Sequence, residues 1–486
     1  MNYQNLRLIV AAFAIVSYAP AQSFEEVRSS LRRQLVGTKA PSLAVAVARH
    51  GKIVWEEGFG WADRENRVAA TEHTMYSLAS ISKPFTATGV MVLRQAGKID
   101  LDKPIDDYLG TARLTARVGD ARDATVRRVA SHSAGLPLHY QFFYADEPYQ
   151  PPPMPETIRR YGMLVTAPGE RYSYSNLGFG ILDHVISRVS GRDYADFMRD
   201  QVFLPLDLTH TSVHLGAGLE KYAAVRYNPD GALLPFYNFD HPGGSAVWSS
   251  AHDLVRFGMF HLKEHLAGQK HILSDENIDE MQKPVIGVDA DSGYGLGWRA
   301  GVQRGYRTVS HAGSMGGVRT ILLMVPSERL AIVALCNTSS DLPSRIADEI
   351  LAAALGLGAP SKSEGPGATK PKFQPGPELR GTWSGKLVTH EAEHGLTLRI
   401  LDSGDVHVQV AGQLRTLLNN PAFEDGFLTG QMMGDVGTGD ASRRPHTIGL
   451  SLKLRGNVLN GGATALSIPG RRAGNALTSW VELRKE

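Results

Sequence analysis

Apolar residues recur along this chain in two rhythms, and each rhythm predicts an element. Over 24–35, FEEVRSSLRRQL, the residues Phe24, Val27, Leu31 and Leu35 fall at helical spacing. SLAVAVARHGKIVWEEGFGWAD, 42–63, reads as two strands joined at Arg49-His50-Gly51-Lys52. KPFTATGVMVLRQAGKI, 83–99, reads as a helix with an apolar face, ended near Gly97. TILLMVPSERLAIVALCN, 320–337, predicts a hairpin turning at Pro326-Ser327-Glu328, and DLPSRIADEILAAALG, 341–356, an amphipathic helix. Between these ends, short helices mix with loops rich in Pro, Gly and Tyr. The order predicts an α/β (α+β) architecture. Strands from both ends meet in one antiparallel sheet covered by helices, a helical lobe stands beside it, and the cleft between them is the natural site.

The rhythm changes after residue 357. APSKSEGPGATKPKFQPGPE, 359–378, has almost no apolar residues and reads as a linker. LTLRIL, VHVQVAG, HTIGLSLKLRG and NVLNGGATALSI then alternate apolar and polar positions between Gly, Asn and Asp, which predicts an all-β module, a small barrel or sandwich. The expected divisions are a main domain at 22–357, a linker at 358–378 and the β module at 379–486.

Composition narrows the function. Hydrophobic residues make up 42% of the 486 and charged residues 21%, so a sizeable core is available. The formal net charge is +2 with no dense Lys/Arg block, which argues against nucleic acid as a partner. At the N-terminus, Arg7, the apolar LIVAAFAIVSYA and Ala19-Pro20-Ala21 read as a signal peptide over 1–21. The mature chain then starts near Gln22 and works in the periplasm or outside the cell. The apolar run is short for a membrane span, and an uncleaved anchor is the alternative. The single cysteine, Cys336, rules out a disulfide within the chain and sits in a strand-like apolar run as a small buried hydrophobe.

Three short stretches can carry chemistry. In SLASISKP, 77–84, a serine needs a group to take its proton before it can attack. If a helix starts near residue 80, Ser80 and Lys83 share a face, Ser82 points about 100° away and Ser77 lies before the helix. Lys83 must be neutral to act as a base, so burial or a nearby cation has to lower its pKa. Taken alone, the same residues also fit a helix-capping serine and a solvated lysine. Tyr174-Ser175-Asn176 precedes an amphipathic helix; its phenol can relay a proton and its amide can hold a carbonyl, or Asn176 can be a helix cap. His311-Ala312-Gly313-Ser314 lies on a strand-like run. Gly313 allows close approach of a substrate backbone, and the N–H of Ser314 can pair with that of Ser80 as an oxyanion hole.

Taken in order, Ser80-x-x-Lys83, Tyr174-x-Asn176 and His311-x-Gly313 resemble the serine β-lactamase-like family: class C β-lactamases, penicillin-binding DD-peptidases, D-aminopeptidases and related esterases. SLASISKPFTATGVMVLRQAGKIDLDKPI, SHSAGLP, HPGGSAVWSSAHDLVRF and YGLGW resemble it too, over about residues 24–356. The resemblance implies a β-lactamase/transpeptidase-like fold and an acyl-enzyme on Ser80. Lys83 and Tyr174 would share the proton work, Asn176, His311, Gly313 and Ser314 would bind substrate, and the N–H groups of Ser80 and Ser314 would hold the oxyanion. Many β-lactamases and DD-peptidases carry a lysine at the third motif. His311 stands there here and is mostly neutral at pH 7, which favours D-amino-acid peptides, amides or esters, with β-lactam hydrolysis or DD-carboxypeptidase activity as the alternative. Peptidoglycan fragments are the substrates that export suggests, and a homo-oligomer is a possible state. A non-catalytic wall-binding or sensor module is the alternative of another class. GTWSGKL, 381–387, resembles the opening of a lipocalin-like barrel, which some D-aminopeptidase-like relatives append.

No cofactor or metal is expected. His390-Glu391-Ala392-Glu393-His394 has the form H-E-x-x-H, but it lies between two strand-like runs and reads as a polar hairpin tip. No G-x-S-x-G occurs, which argues against a nucleophile-elbow hydrolase.

Overall fold

A computed structural model describes residues 24–358 and 372–486. The expected signal peptide and most of the expected linker lie outside the described residues. No helix among the described residues is long and apolar enough to cross a membrane.

The main sheet joins both ends of the first domain, as the pattern of strands predicts. Its strands are β1 (Ser42–Arg49), β2 (Lys52–Asp63), β3 (Val68–Ala69), β4 (Ile286–Asp289), β5 (Ser292–Tyr294), β6 (Arg299–Gln303), β7 (Tyr306–Met315), β8 (Val318–Val325) and β9 (Leu330–Cys336). They are ordered β4-β5-β6-β7-β8-β9-β1-β2-β3, and every pairing is antiparallel. Strand alternation explains how one strand serves two layers. Leu43, Val45 and Val47 of β1 join Leu330, Ile332 and Cys336 of β9 under helices α1 (Glu25–Thr38) and α5 (Leu342–Leu355). The smaller Ala44, Ala46 and Ala48 face the other way, into the core shared with the helical lobe. That lobe carries α2 (Ser82–Gln95) and α3 (Asn176–Ser190), while α4 (Ala251–His261) packs on this face of the sheet against β1, β8 and β9. Cys336 is fully buried, which matches its reading as a small hydrophobe.

The all-β module is a nearly closed barrel. Its strands are β10 (Gly381–Val388), β11 (Glu393–Ile400), β12 (Val406–Val410), β13 (Thr416–Leu417), β14 (Asn419–Glu424), β15 (Phe427–Met433), β16 (His446–Arg455), β17 (Val458–Ser467) and β18 (Ala476–Lys485). They run in the order β13-β12-β11-β10-β18-β17-β16-β15-β14. Trp383 of GTWSGKL is fully buried and donates from Nε1 to the Leu379 carbonyl at 2.7 Å. The H-E-x-x-H stretch turns between β10 and β11, with Val388 paired to Glu393, so its histidines do not share a helical face.

The barrel docks on the first domain through polar contacts around one rim. Ala476 of β18 bridges Tyr140, Asn475 Oδ1 accepts the Phe142 N–H at 3.0 Å, and Thr478 Oγ1 donates to the Leu138 carbonyl at 2.8 Å. Arg472 pairs with Asp146 and Glu147, and Arg455 with Glu170. These contacts bring the loop between β17 and β18 to the mouth of the cleft between sheet and lobe.

Candidate active site

Ser80 lies not on α2 itself but in the single 3-10 turn before it, Ala79–Ile81, which runs straight into the helix. Ala79 holds φ +50°, a left-handed conformation that costs an alanine energy and needs surroundings to enforce it. Three contacts do so. The Leu78 N–H donates to the Val247 carbonyl at 2.8 Å, its carbonyl accepts from Thr320 Oγ1 at 2.9 Å, and Ser82 Oγ donates to the Ala79 carbonyl at 2.7 Å. Ser82 Oγ also accepts the Val247 N–H at 3.0 Å, so it is fully employed in the turn. Ser77 is buried and its Oγ has no partner. Of the three serines only Ser80 meets Lys83.

Lys83, on the first turn of α2, is fully buried. Its Nζ lies 3.2 Å from Ser80 Oγ, 2.7 Å from Asn176 Oδ1 and 3.0 Å from the Gly244 carbonyl oxygen. Burial without any carboxylate partner pushes its pKa well below the usual lysine value. A neutral amine has two N–H groups and one lone pair. The amide and carbonyl oxygens can only accept, so they take the two N–H groups, and the lone pair is left facing Ser80 Oγ. The helix spacing therefore delivers a base as well as a neighbour.

Tyr174 and Asn176 come from the entrance to α3. The cap there is Ser175, whose Oγ accepts the Gly178 N–H at 3.2 Å, and this frees Asn176 from the capping role its position allows. Tyr174 donates its O–H to Ser80 Oγ at 2.8 Å. Burial raises the Tyr174 pKa, so the phenol keeps its proton. His132, from SHSAGLP, packs its ring 4.3 Å from that of Tyr174 and accepts the Ser175 N–H on Nδ1 at 3.1 Å. Burial holds His132 well below the usual histidine value.

The third motif behaves differently from its sequence reading. His311 sits in the middle of β7, buried, with Nδ1 2.8 Å from the Ala312 carbonyl and Nε2 2.8 Å from the Tyr294 hydroxyl. A carbonyl only accepts, so Nδ1 carries the proton and Nε2 accepts from Tyr294. Burial and the nearby Lys83 push the ring down to about 3, and it is neutral. Its ring is thus occupied by Tyr294 instead of facing the cavity. Gly313 also has a different reason to be glycine. A Cβ there would lie 2.1 Å from the Leu78 carbonyl and 2.2 Å from Thr320 Oγ1. That room is taken by the turn that carries Ser80. Ser314 does reach the cavity. Pairing of β6 with β7 ends at Arg299 and Ser310, so residues 311–315 leave a free strand edge there.

Ser80, Tyr174, Asn176 and Ser314 line a cavity of about 420 Å³ that also takes in Tyr140, Phe142 and His241 from the lobe and Arg472, Gly474 and Asn475 from the barrel loop. A serine with a lysine lone pair and a phenol on its oxygen, open to a cavity, can attack a carbonyl and pass its proton on. A sequence profile described as Beta-lactamase matches residues 27–357. The chain belongs to the β-lactamase family. Among curated relatives, protein flp of Staphylococcus aureus is 22% identical over 340 residues, 68% of this chain and 66% of that protein. The unguisins hydrolase ungD' of Aspergillus campestris is 27% identical over 337 residues, 65% of this chain and 62% of its own. The match thus spans just under two thirds of these relatives' length. Among solved structures, the octameric penicillin-binding protein homologue of Pyrococcus abyssi covers 93% of this chain and all of its own at TM-score 0.61 and 22% identity. A class C β-lactamase covers 69% of this chain and 98% of its own at TM-score 0.59 and 18% identity. EstCE1, a hydrolase with promiscuous acyltransferase activity, covers 68% and 99% at TM-score 0.57 and 21% identity. These likenesses show the β-lactamase/transpeptidase-like fold.

Sequence reasoning left three residues of this β-lactamase-family site without a role: His132, His241 and Tyr294. Each lies in a stretch that carried the family resemblance, SHSAGLP, HPGGSAVWSSAHDLVRF and YGLGW. Nothing in their spacing told which atoms they would meet.

Proposed function

We propose that this chain is an exported serine hydrolase that acts through an acyl-enzyme on Ser80, on D-amino-acid peptides, amides or esters. The observation that carries the reading is the pair of contacts on Ser80 Oγ, from Lys83 Nζ at 3.2 Å and Tyr174 Oη at 2.8 Å. Lys83 takes the Ser80 proton as Oγ attacks the carbonyl carbon. The N–H groups of Ser80 and Ser314 hold the oxyanion. Tyr174, protonated at neutral pH, gives its proton to the leaving group and recovers one from Lys83. Water then attacks the acyl carbon and gives up a proton to the Lys83–Tyr174 pair, which returns one to Oγ as its bond to the acyl carbon breaks. Asn176 fixes Lys83 through Oδ1, with its amide N–H groups available to a substrate carbonyl.

The preference for peptides and esters over β-lactams is supported by charge. His311 is neutral and engaged by Tyr294, so the third motif offers no fixed cation for a substrate carboxylate. Arg472 is the charged side chain on the cavity wall, and it already pairs with Asp146 and Glu147. Export rests on the N-terminal pattern of charged, apolar and small residues. The octameric relative supports a homo-oligomer.

The test is a panel of D-alanyl amides, short esters and a chromogenic cephalosporin. Turnover of a D-alanyl amide or ester at least about a hundredfold above the cephalosporin is expected; the reverse order supports a β-lactamase. The pH profile of kcat/KM tests the proton roles. Lys83 must be neutral, so activity falls as pH drops through its depressed pKa and holds as pH rises. Tyr174 must stay protonated, and its raised pKa keeps the plateau intact to at least about pH 9. A fall beginning near neutrality on the alkaline side contradicts a protonated Tyr174.

A further inference from the structure

The same cavity is bordered by a second chain of titratable groups that the serine chemistry does not use. His139 Nε2 and His241 Nδ1 each lie 2.7 Å from one oxygen of Asp240, and all three residues are buried. We read these two contacts as hydrogen bonds: donors around a tetrahedral zinc at ~2.1 Å stand about 3.4 Å apart, and each imidazole nitrogen lies 2.7 Å from its carboxylate oxygen. A carboxylate oxygen only accepts, so each imidazole gives Asp240 an N–H. The Nδ1 proton of His241 is thereby committed, and Nε2 is left as an acceptor. His241 lines the cavity beside Asn176 and Ser245. Among the described residues no group pairs with Nε2, and that atom is not sealed from solvent, whereas His139 Nδ1 is sealed and unpartnered. The His241 backbone is pinned as well. A Cβ on Gly180 of α3 would lie 2.9 Å from His241 Cβ, and the next residues, 242–245, form the short helix whose Gly244 carbonyl holds Lys83. Burial pulls the His241 imidazole below its usual value against the opposing pull of Asp240, so the ring is neutral at pH 7.

We propose that His241 Nε2 is a substrate-binding acceptor that selects compounds carrying an N–H or O–H donor in the part that lies against Asn176. Asp240 and His139 are its positioning residues: they fix the tautomer and hold the ring. A substrate without the donor leaves a buried acceptor dry, which a site penalises more than a missing apolar contact. The inference rests on the acyl-enzyme reading and narrows its substrate class.

Two matched pairs of substrates test it. D-alanine p-nitroanilide and propionic acid p-nitroanilide differ by the donor in the acyl part. The acetate esters of N-methylglycolamide and of methyl glycolate differ by an N–H in the leaving part. In one of the two pairs the wild-type protein is expected to favour the donor in kcat/KM by about 10- to 100-fold. His241→Phe brings that ratio to about one. Asp240→Asn, nearly isosteric, can give its amide N–H to Nδ1 and move the imidazole proton to Nε2. It loses or reverses the preference with the ring still present, and it carries the test if His241→Phe does not fold. Ratios unchanged by both substitutions in both pairs overturn the role of His241 while leaving acylation of Ser80, followed by intact mass, in place. Failure of all four compounds to acylate Ser80 overturns both readings.

Discussion

Replacing Lys83 with methionine is expected to lower kcat/KM for an activated short-chain ester by about 10³- to 10⁴-fold while the protein stays folded. The size follows from geometry. Ser80 Oγ has two polar neighbours, and Tyr174 keeps its proton because burial raises its pKa, so only Lys83 can start the proton transfer. The fold survives because of linkage. The pKa of Lys83 in the folded chain lies below its unfolded value, so at neutral pH the unfolded chain binds the extra proton. The group therefore costs stability there, a cost that shrinks as pH rises. Methionine removes that cost and fills similar space, which offsets the hydrogen bonds lost by Asn176 and Gly244. Stopped-flow acylation and a thermal melt check the two halves. A variant that melts normally and acylates within tenfold of wild type contradicts the assignment of the base.

The second large effect is expected at a residue packed against the turn that carries Ser80. Gly313→Ala places a methyl 2.1 Å from the Leu78 carbonyl and 2.2 Å from Thr320 Oγ1. The first neighbour is backbone and cannot swing away. Either β7 or the turn Ala79–Ile81 must shift, and that turn already holds Ala79 at φ +50°. Overpacking of this kind costs about 1–3 kcal/mol. A shift of about 1 Å in Ser80 relative to Lys83 and Tyr174 costs about a hundredfold in rate. Gly313→Ala is thus expected to lower both Tm and kcat/KM, the latter by at least about a hundredfold, with KM changing less than kcat. If Gly313 serves substrate approach instead, KM rises while Tm stays put.

The sequence told more about where elements lie than about what their side chains face. The 42–63 and 320–337 strand pairs and the helix after Ser80 were legible because their apolar periods are long and regular. Strands β4 to β6 were not, since Gly287, Gly293 and Gly301 interrupt any alternation. In the site, the pairing of Ser80 with Lys83 was legible because it is local and helical geometry fixes it. Tyr174 and Asn176 were singled out beside a predicted helix and took their roles from the family resemblance, and the structure sets Tyr174 against Ser80 and Asn176 against Lys83. The packing partners of His311 and Gly313 were not legible, for a common reason. Whether a strand residue faces the cavity or a neighbouring turn depends on long-range packing, here on Tyr294 and Leu78. No local pattern carries that information. The tautomer of His241 was illegible on the same ground, because it depends on Asp240 and on His139, 101 residues before Asp240.

The central claim is that Ser80 forms the acyl-enzyme, and intact-mass spectrometry after mixing with an activated ester or a D-alanyl ester tests it most directly. The wild-type protein is expected to gain the mass of one acyl group, mapped by peptide digestion to Ser80. Tyr174→Phe is expected to gain it more slowly and Ser80→Ala not at all. An adduct on Ser77 or Ser82, or hydrolysis by Ser80→Ala at the wild-type rate, would contradict the account.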